Sequence, residues 1–225
     1  MCFSAEASFT ASALLIPTGL YCLRTALSKA RMYLPFAGIP LVFGIQQALE
    51  GLVWIGTNSD SKNLVQVSSL GFLFFSHCFW LFWLPLSVSL IEQDAGIKKI
   101  CRFAGVIGVI FGTLLYIPFL LNEQWFSPIT RYGSVDYQTI LIFDAFMPRN
   151  MSRFIYACIT LIPLLIASEV KLKVFGGLLV CSLLFSYIVF EYAFVSVWCF
   201  WAALLSLYIG YIIYCLSKRE MKSVL

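Results

Sequence analysis

The sequence predicts an all-α polytopic membrane protein: seven transmembrane helices, N-terminus outside, C-terminus cytoplasmic, in one domain over residues 1–225. Three observations lead there. Hydrophobic residues make up 61% of the 225 and charged residues only 12%, with a mean hydropathy of +0.91; a soluble domain carries about 45–50% apolar and about 25% charged residues. The apolar residues gather into stretches close to the roughly 20 residues that a bilayer core of about 30 Å demands of a helix. The basic residues alternate in a way that gives each connection a side.

The seven stretches are roughly 8–28, 33–56, 66–91, 103–121, 150–168, 174–190 and 192–217. The last two form one apolar run of about 44 residues, which as a single helix would reach about 66 Å, too long for one crossing. The chain is therefore expected to turn near Phe190-Glu191-Tyr192. With the N-terminus outside, the inner segments hold Arg24, Lys29 and Arg31, then Lys98, Lys99 and Arg102, then Lys171 and Lys173, then Lys218, Arg219 and Lys222. Only Lys62, Arg131, Arg149 and Arg153 remain for the outer side, as the positive-inside rule requires.

Residues 122–149, between the fourth and fifth helices, are too long for a simple connection. Tyr137–Phe143 reads as a strand and Tyr132-Gly133-Ser134 as the turn before it, giving a structured outer loop with a short β-hairpin. Such a loop serves as a lid, an interaction surface or a plain cap on helix ends. Asn150-Met151-Ser152 matches a glycosylation triplet but abuts a helix start, where it carries no meaning. In the fourth helix Gly108 and Gly112, with Gly105 one turn earlier, allow close helix approach, used for internal packing or, alternatively, in a homodimer. No repeat relates the two halves, which argues against an inverted-repeat transporter.

Several function classes fall away. The net charge of +4 marks topology and implies no nucleic-acid partner. Of the eight cysteines, Cys22, Cys78, Cys158, Cys181, Cys199 and Cys215 lie in apolar segments and behave as small hydrophobes. Without a CxxC pair, neither a redox motif nor a thiolate zinc site is supported. The N-terminus lacks a basic region, so no cleaved signal peptide is expected. The seventh helix has no lysine before Lys218, which excludes a retinal Schiff base. One histidine cannot build a three-histidine zinc site or bis-histidine haem, and no nucleotide-binding phosphate loop is present.

The polar constellation sits in the apolar segments. Glu50 lies in the middle of the second helix, and an ionisable group at such depth is costly enough to mark a functional site by default. Gln46, Glu50 and Trp54 are spaced i, i+4, i+8, and Gln47 lies three before Glu50, so all share one face. His77, next to Ser76, lies in the outer half of the third helix, and Glu191 at the outer turn between the last two. The expected lining of an outward pocket is Gln46, Gln47, Glu50, Trp54, His77 and Glu191, with Cys2, Ser4 and Glu6 nearby on the outer face. The plainer readings are Glu50 and the glutamines as interhelical glue, His77 as packing, its neighbours Trp80 and Trp83 as packing or pocket wall, and Glu191 as a solvated turn residue.

Three chemistries remain open. His77 and Glu50, completed by Cys2 or Glu191, suit a transition metal such as zinc. Cys2 as nucleophile, His77 as base and Glu50 as orienter would make an enzyme acting on a lipid or lipophilic substrate. Proton exchange between Glu50 and His77 would serve proton-coupled transport. The favoured expectation is binding of a small molecule, a lipid or a metal, without assigned catalysis.

The opening Met1-Cys2-Phe3-Ser4-Ala5, then Leu34-Pro35-x-Ala37-x-Ile39-Pro40-Leu41, then Gln47-x-x-Glu50-x-x-x-Trp54 resembles a family of uncharacterised bacterial integral membrane proteins. Its members begin Met-Cys-(Phe/Trp)-Ser-Ala and carry a His/Gln-Gln-x-x-Glu pattern in the second helix. The resemblance covers the first quarter of the chain. It implies a bacterial plasma (inner) membrane location and places Cys2, Ser4, Gln47 and Glu50 in the family motif. Where other members have histidine this chain has Gln46, which weakens any metal role carried over from the family.

Overall fold

Ser4 opens the first helix: its side chain accepts a hydrogen bond from the Ala7 amide (3.2 Å), capping α1 (Ala5–Lys29). The computed structural model describes residues 4–223, with side chains through Lys218. After α1 come a 3₁₀ turn Arg31–Tyr33, the short α2 (Leu34–Ala37) and α3 (Ile39–Asn58). Next is α4 (Lys62–Phe74), which runs through a π-helical turn Phe75–Phe79 into α5 (Trp80–Ile91). The chain continues through α6 (Ala95–Leu121), the strands β1 (Phe126–Arg131) and β2 (Ser134–Thr139), α7 (Arg149–Ile166), α8 (Val170–Val189), α9 (Phe194–Leu205) and α10 (Leu207–Ser223). Grouped into continuous rods, these make the seven helical segments expected, and the turn after α8 falls at Phe190 and the 3₁₀ turn Glu191–Ala193.

Five of the rods are long and apolar enough to cross a membrane: Arg31–Asn58, Lys62–Ile91, Ala95–Leu121, Val170–Val189 and Glu191–Lys218. The other two are more polar. α7 spends its first turns on Arg149, Asn150, Ser152 and Arg153, and α1 is interrupted by Ser8, Thr10, Ser12 and Thr18. The exterior of α6 exposes Phe103, Val106, Ile110 and Leu121, with Phe103 67% and Leu121 76% accessible. Its opposite face buries Gly108, Phe111, Gly112 and Leu115. An apolar exterior of this extent suits lipid rather than water.

The glycines are used inside the chain. A Cβ on Gly108 would stand 2.0 Å from the Leu81 carbonyl oxygen, and one on Gly112 would stand 2.9 Å from Cys78 Cα, so α6 presses directly on the α4–α5 rod. α1 meets α3 in the same manner at Gly19, whose Cβ would fall 2.3 Å from the Leu41 nitrogen.

Several cross-links gather the turns at one end of the bundle. Lys29 Nζ donates to Ser217 Oγ (2.8 Å), tying α1 to α10. Trp83 Nε1 donates to the Pro35 carbonyl (3.1 Å). The buried Glu92 carboxylate accepts from the backbone amides of Gln93 (2.8 Å), Asp94 (3.0 Å) and Ser168 (2.7 Å), pinning the α5–α6 turn to the α7–α8 turn. Burial opposes ionisation of this carboxyl, but the amide donors together hold it below the ordinary carboxylate range.

The hairpin covers the other end. β1 and β2 pair antiparallel from Phe126↔Thr139 to Arg131↔Ser134, closed by the two-residue turn Tyr132-Gly133, both with positive φ. That is the turn whose twist matches a hairpin. The strand expected over 137–143 instead starts at Ser134 and ends at Thr139. After one further bond, Ile140 N to Trp125 O (2.8 Å), the chain coils into a 3₁₀ turn, Ile142–Ala145. Asp144 causes the departure: it accepts from the Leu141 amide (2.9 Å) and pairs with Arg149 at the start of α7.

Candidate functional site

Beneath the hairpin is a cavity of about 410 Å³. β2 supplies its roof through Asp136 to Thr139, α7 one wall through Arg149, Ser152, Arg153 and Tyr156, and the Glu191–Cys199 segment another. Ser76 and His77 complete the lining from the π-helical turn. Such turns are single-residue insertions often found at functional positions. Ser76 Oγ lies 2.9 Å from His77 Nδ1, and the imidazole meets the Phe119 ring edge-on at 5.4 Å.

Two arginines one helical turn apart face this space, and their surroundings differ. Arg149 is bound into the scaffold: its guanidinium pairs with Asp144 and donates to the Thr139 carbonyl, joining α7 to the hairpin. Arg153 lies over the Phe194 ring at 5.0 Å and donates to Asn150 Oδ1 (3.3 Å), but makes no ion pair within the described residues. Glu191 stands exposed at the rim of the same cavity. Asp136 faces Arg131 at 4.0 Å. Burial pushes its carboxyl above the ordinary range, although Gln138 and the two guanidiniums Arg131 and Arg149 pull the other way. Two further cavity residues carry polar atoms without a hydrogen-bond partner among the described residues: Ser152 Oγ, in a side chain only 3% exposed, and Trp198 Nε1. Unmet donors at buried positions are uncommon and ask for an explanation.

The sequence-predicted residues separate into two groups. His77 and Glu191 line the cavity. Gln46, Gln47, Glu50 and Trp54 share one buried face of α3, as their spacing predicts, but lie behind the cavity wall. There Gln46 and Glu50 tie helices together. Trp80 Nε1 donates to Gln46 Oε1 (2.8 Å). Gln47 Nε2 donates to Glu50 Oε2 (3.3 Å), and Ser196 Oγ on α9 donates to Glu50 Oε1. Cys199, a cavity residue, lies beside Gln46. Cys2 lies outside the described residues. Among the described residues, no three His, Cys, Asp or Glu side chains gather where they could hold a metal ion.

A family model described as a family of unknown function, DUF6629, matches residues 1–223. The chain belongs to that family. No curated protein and no solved structure matches it. The chemistry of this DUF6629 member must therefore be argued from its own residues. Arg149, Ser152, Arg153, Tyr156 and Trp198 were not singled out by sequence reasoning. One signal pointed to the arginines: both fall on the side that the charge pattern leaves poor in basic residues, four positions apart at a helix start.

Proposed function

We propose that this DUF6629 member is a multi-pass protein of the bacterial inner membrane, with seven spans, N-terminus outside and C-terminus cytoplasmic, whose outward-facing cavity binds a small organic anion. Five apolar helices support the membrane reading, and the alternation of basic residues supports the orientation. The polar starts of α1 and α7 sit where helices would leave the bilayer, which lets both count as spans. The observation that carries the ligand reading is Arg153: a cation without an ion pair within the described residues, in a 410 Å³ cavity beside the unpartnered Ser152 hydroxyl and Trp198 indole N–H. Each of these groups is a donor, so an oxyanion would answer them together.

Thermal unfolding of detergent-purified protein against short carboxylates, phosphate esters, neutral alcohols and amines tests this. Anions should raise the midpoint and the other classes should not. Arg153→Gln should abolish the rise without lowering the midpoint of the unliganded protein. A response to amines and none to anions would overturn the reading. The orientation is tested by C-terminal fusions, with a fluorescent reporter active and a periplasmic phosphatase inactive.

A second reading, a membrane-embedded enzyme, is favoured by one contact. The Ser76 hydroxyl lies 2.9 Å from His77 Nδ1 at the cavity, and the pair would activate a serine nucleophile when Nδ1 is unprotonated and the hydroxyl turns to it from the Leu73 carbonyl, to which it donates at 3.4 Å. Covalent capture of a fluorophosphonate by the wild type, lost in Ser76→Ala and His77→Gln, would establish it; no capture would remove it.

A further inference from the structure

The cavity under the hairpin is lined by charges of both signs: the guanidiniums of Arg149 and Arg153, and the carboxylates of Asp136 and Glu191. One of each is taken up by the scaffold. Arg149 pairs with Asp144, and Asp136 faces Arg131 at 4.0 Å. Arg153 and Glu191 make no ion pair among the described residues. They stand on different elements, α7 and the turn after α8, and Glu191 attracts Arg153 without closing on it. The two donors without a partner among the described residues, Ser152 Oγ and Trp198 Nε1, belong to the same lining.

We infer that the ligand is a zwitterion, a free amino acid, with its carboxylate at Arg153 and its ammonium at Glu191. This inference rests on the reading of Arg153 as an anion site and adds the group at the ligand's other end. A plain anion would satisfy Arg153, but it would bring a net charge into a cavity whose lining charges already balance, and it would meet Glu191 as a like charge. A plain amine would suit Glu191 and be repelled by two guanidiniums. A zwitterion adds no net charge and answers both groups. Its carboxylate oxygens can accept from Arg153, the Ser152 hydroxyl and the Trp198 indole, and its ammonium can donate to the Glu191 carboxylate. The burial of the two residues fixes the direction: ammonium at the mouth, where Glu191 is exposed, and carboxylate further in, at the half-buried Arg153. Leu115, Val195 and the Trp198 ring line the same space and offer an apolar surface to the amino acid's side chain. At about 410 Å³ the cavity falls within the range of about 300–1,000 Å³ usual for small-molecule sites.

The test is titration calorimetry on the full chain in detergent, with amino acids set against analogues that lack one charged end: alanine, propionate and ethylamine; valine, isovalerate and isobutylamine; phenylalanine, hydrocinnamate and phenethylamine. In at least one set the amino acid should bind about fivefold tighter than its carboxylate analogue, and the amine should not bind. Arg153→Gln should abolish binding of amino acid and carboxylate alike. Glu191→Gln should weaken the amino acid about fivefold while tightening the carboxylate about two- to fivefold. A merely structural role for Glu191 would not move the two ligands in opposite directions. The comparison of ligands on unaltered protein stands even where a variant fails to fold. Carboxylates that bind as tightly as the amino acids in all three sets, or amino-acid binding that Glu191→Gln leaves unchanged or strengthens, overturn the zwitterion and leave the anion cavity standing. Absence of binding by every amino acid and every carboxylate overturns both.

Discussion

The bond between Ser196 and Glu50 gives the sharpest test of what the buried Glu50 carboxyl is for. Both residues are fully buried, and the Ser196 hydroxyl on α9 donates to Glu50 on α3. Hydrogen bonds between membrane helices are worth about 0.6 kcal/mol on average and up to about 1.7. Bonds to charged groups in soluble proteins reach about 1.5–3 kcal/mol. With no exposure at either end, this one belongs in the upper part of the membrane range, so Ser196→Ala should cost about 1–2 kcal/mol. Glu50→Gln keeps an acceptor oxygen for Ser196 and should cost under about 1 kcal/mol. Glu50→Ala leaves the Ser196 hydroxyl and the Gln47 amide short of a shared acceptor and should cost about 2–4 kcal/mol, the unmet groups contributing about 1–3 of that.

The assay is equilibrium unfolding in mixed micelles titrated with a denaturing detergent, applied to Ser196→Ala, Glu50→Ala and the double variant. A tie predicts a coupling energy of about 1 kcal/mol or more, because the second substitution removes a bond already broken. A coupling below about 0.3 kcal/mol would refute the tie. So would a Ser196→Ala protein of undiminished stability, whatever the cost of Glu50→Ala. A cavity role for Glu50 predicts a different outcome: near-normal stability in Glu50→Gln with ligand stabilisation lost.

Other expectations follow from the same geometry. Gly108→Ala should cost about 1–3 kcal/mol, since its methyl would meet the Leu81 carbonyl oxygen and backbone yields little; Gly177→Ala, with open space around it, should be neutral or stabilise by up to about 1 kcal/mol in the same unfolding assay. Asp144, beside Arg149, has a carboxyl that burial would raise but that the guanidinium and the Leu141 amide hold below its ordinary range. A depressed carboxyl contributes stability that is full above the unfolded value of about 3.9 and lost as pH falls through the folded one. Hydrogen exchange in residues 126–145 should therefore quicken below about pH 4 in the wild type and be quick at neutral pH in Asp144→Ala. Glu92 obeys the same sign, and Glu92→Ala, which strands three amides, should lower the unfolding free energy by about 2–3 kcal/mol. Glu191→Gln removes a carboxylate from the cavity rim and should tighten binding of a short anion about two- to fivefold by titration calorimetry, given about 1 kcal/mol for unit charges 4 Å apart in water.

Hydropathy made the helices legible because it is imposed residue by residue: each turn of a helix that is to cross a membrane must be apolar. The break at Phe190–Tyr192 was legible for the same reason, since no single helix could hold the apolar run around it. The site was harder to read because depth and charge alone do not say which way a side chain faces. Glu50 is the most conspicuous residue in the sequence, yet its spacing with Gln46 and Trp54 fits an interhelical seam as well as a pocket wall; its bond from Ser196, 146 residues further on, was not visible in that spacing. The hairpin was half legible. Tyr132-Gly133 announced the turn, but Ile140–Phe143 has the same β-rich composition as the strand before it. The chain leaves the sheet after Thr139 where Asp144 holds the Leu141 amide and the Arg149 guanidinium. Arg149 and Arg153 carried information that hydropathy discards. Under the positive-inside reading both fall among the few basic residues assigned to the outer side, where a local reason for them is expected. For Arg149 the reason is visible in Asp144 and the Thr139 carbonyl. For Arg153 no carboxylate stands within ion-pair distance among the described residues; Glu191, which lines the same cavity, attracts it from further off, and removing that carboxylate is the change expected to favour an added anion there.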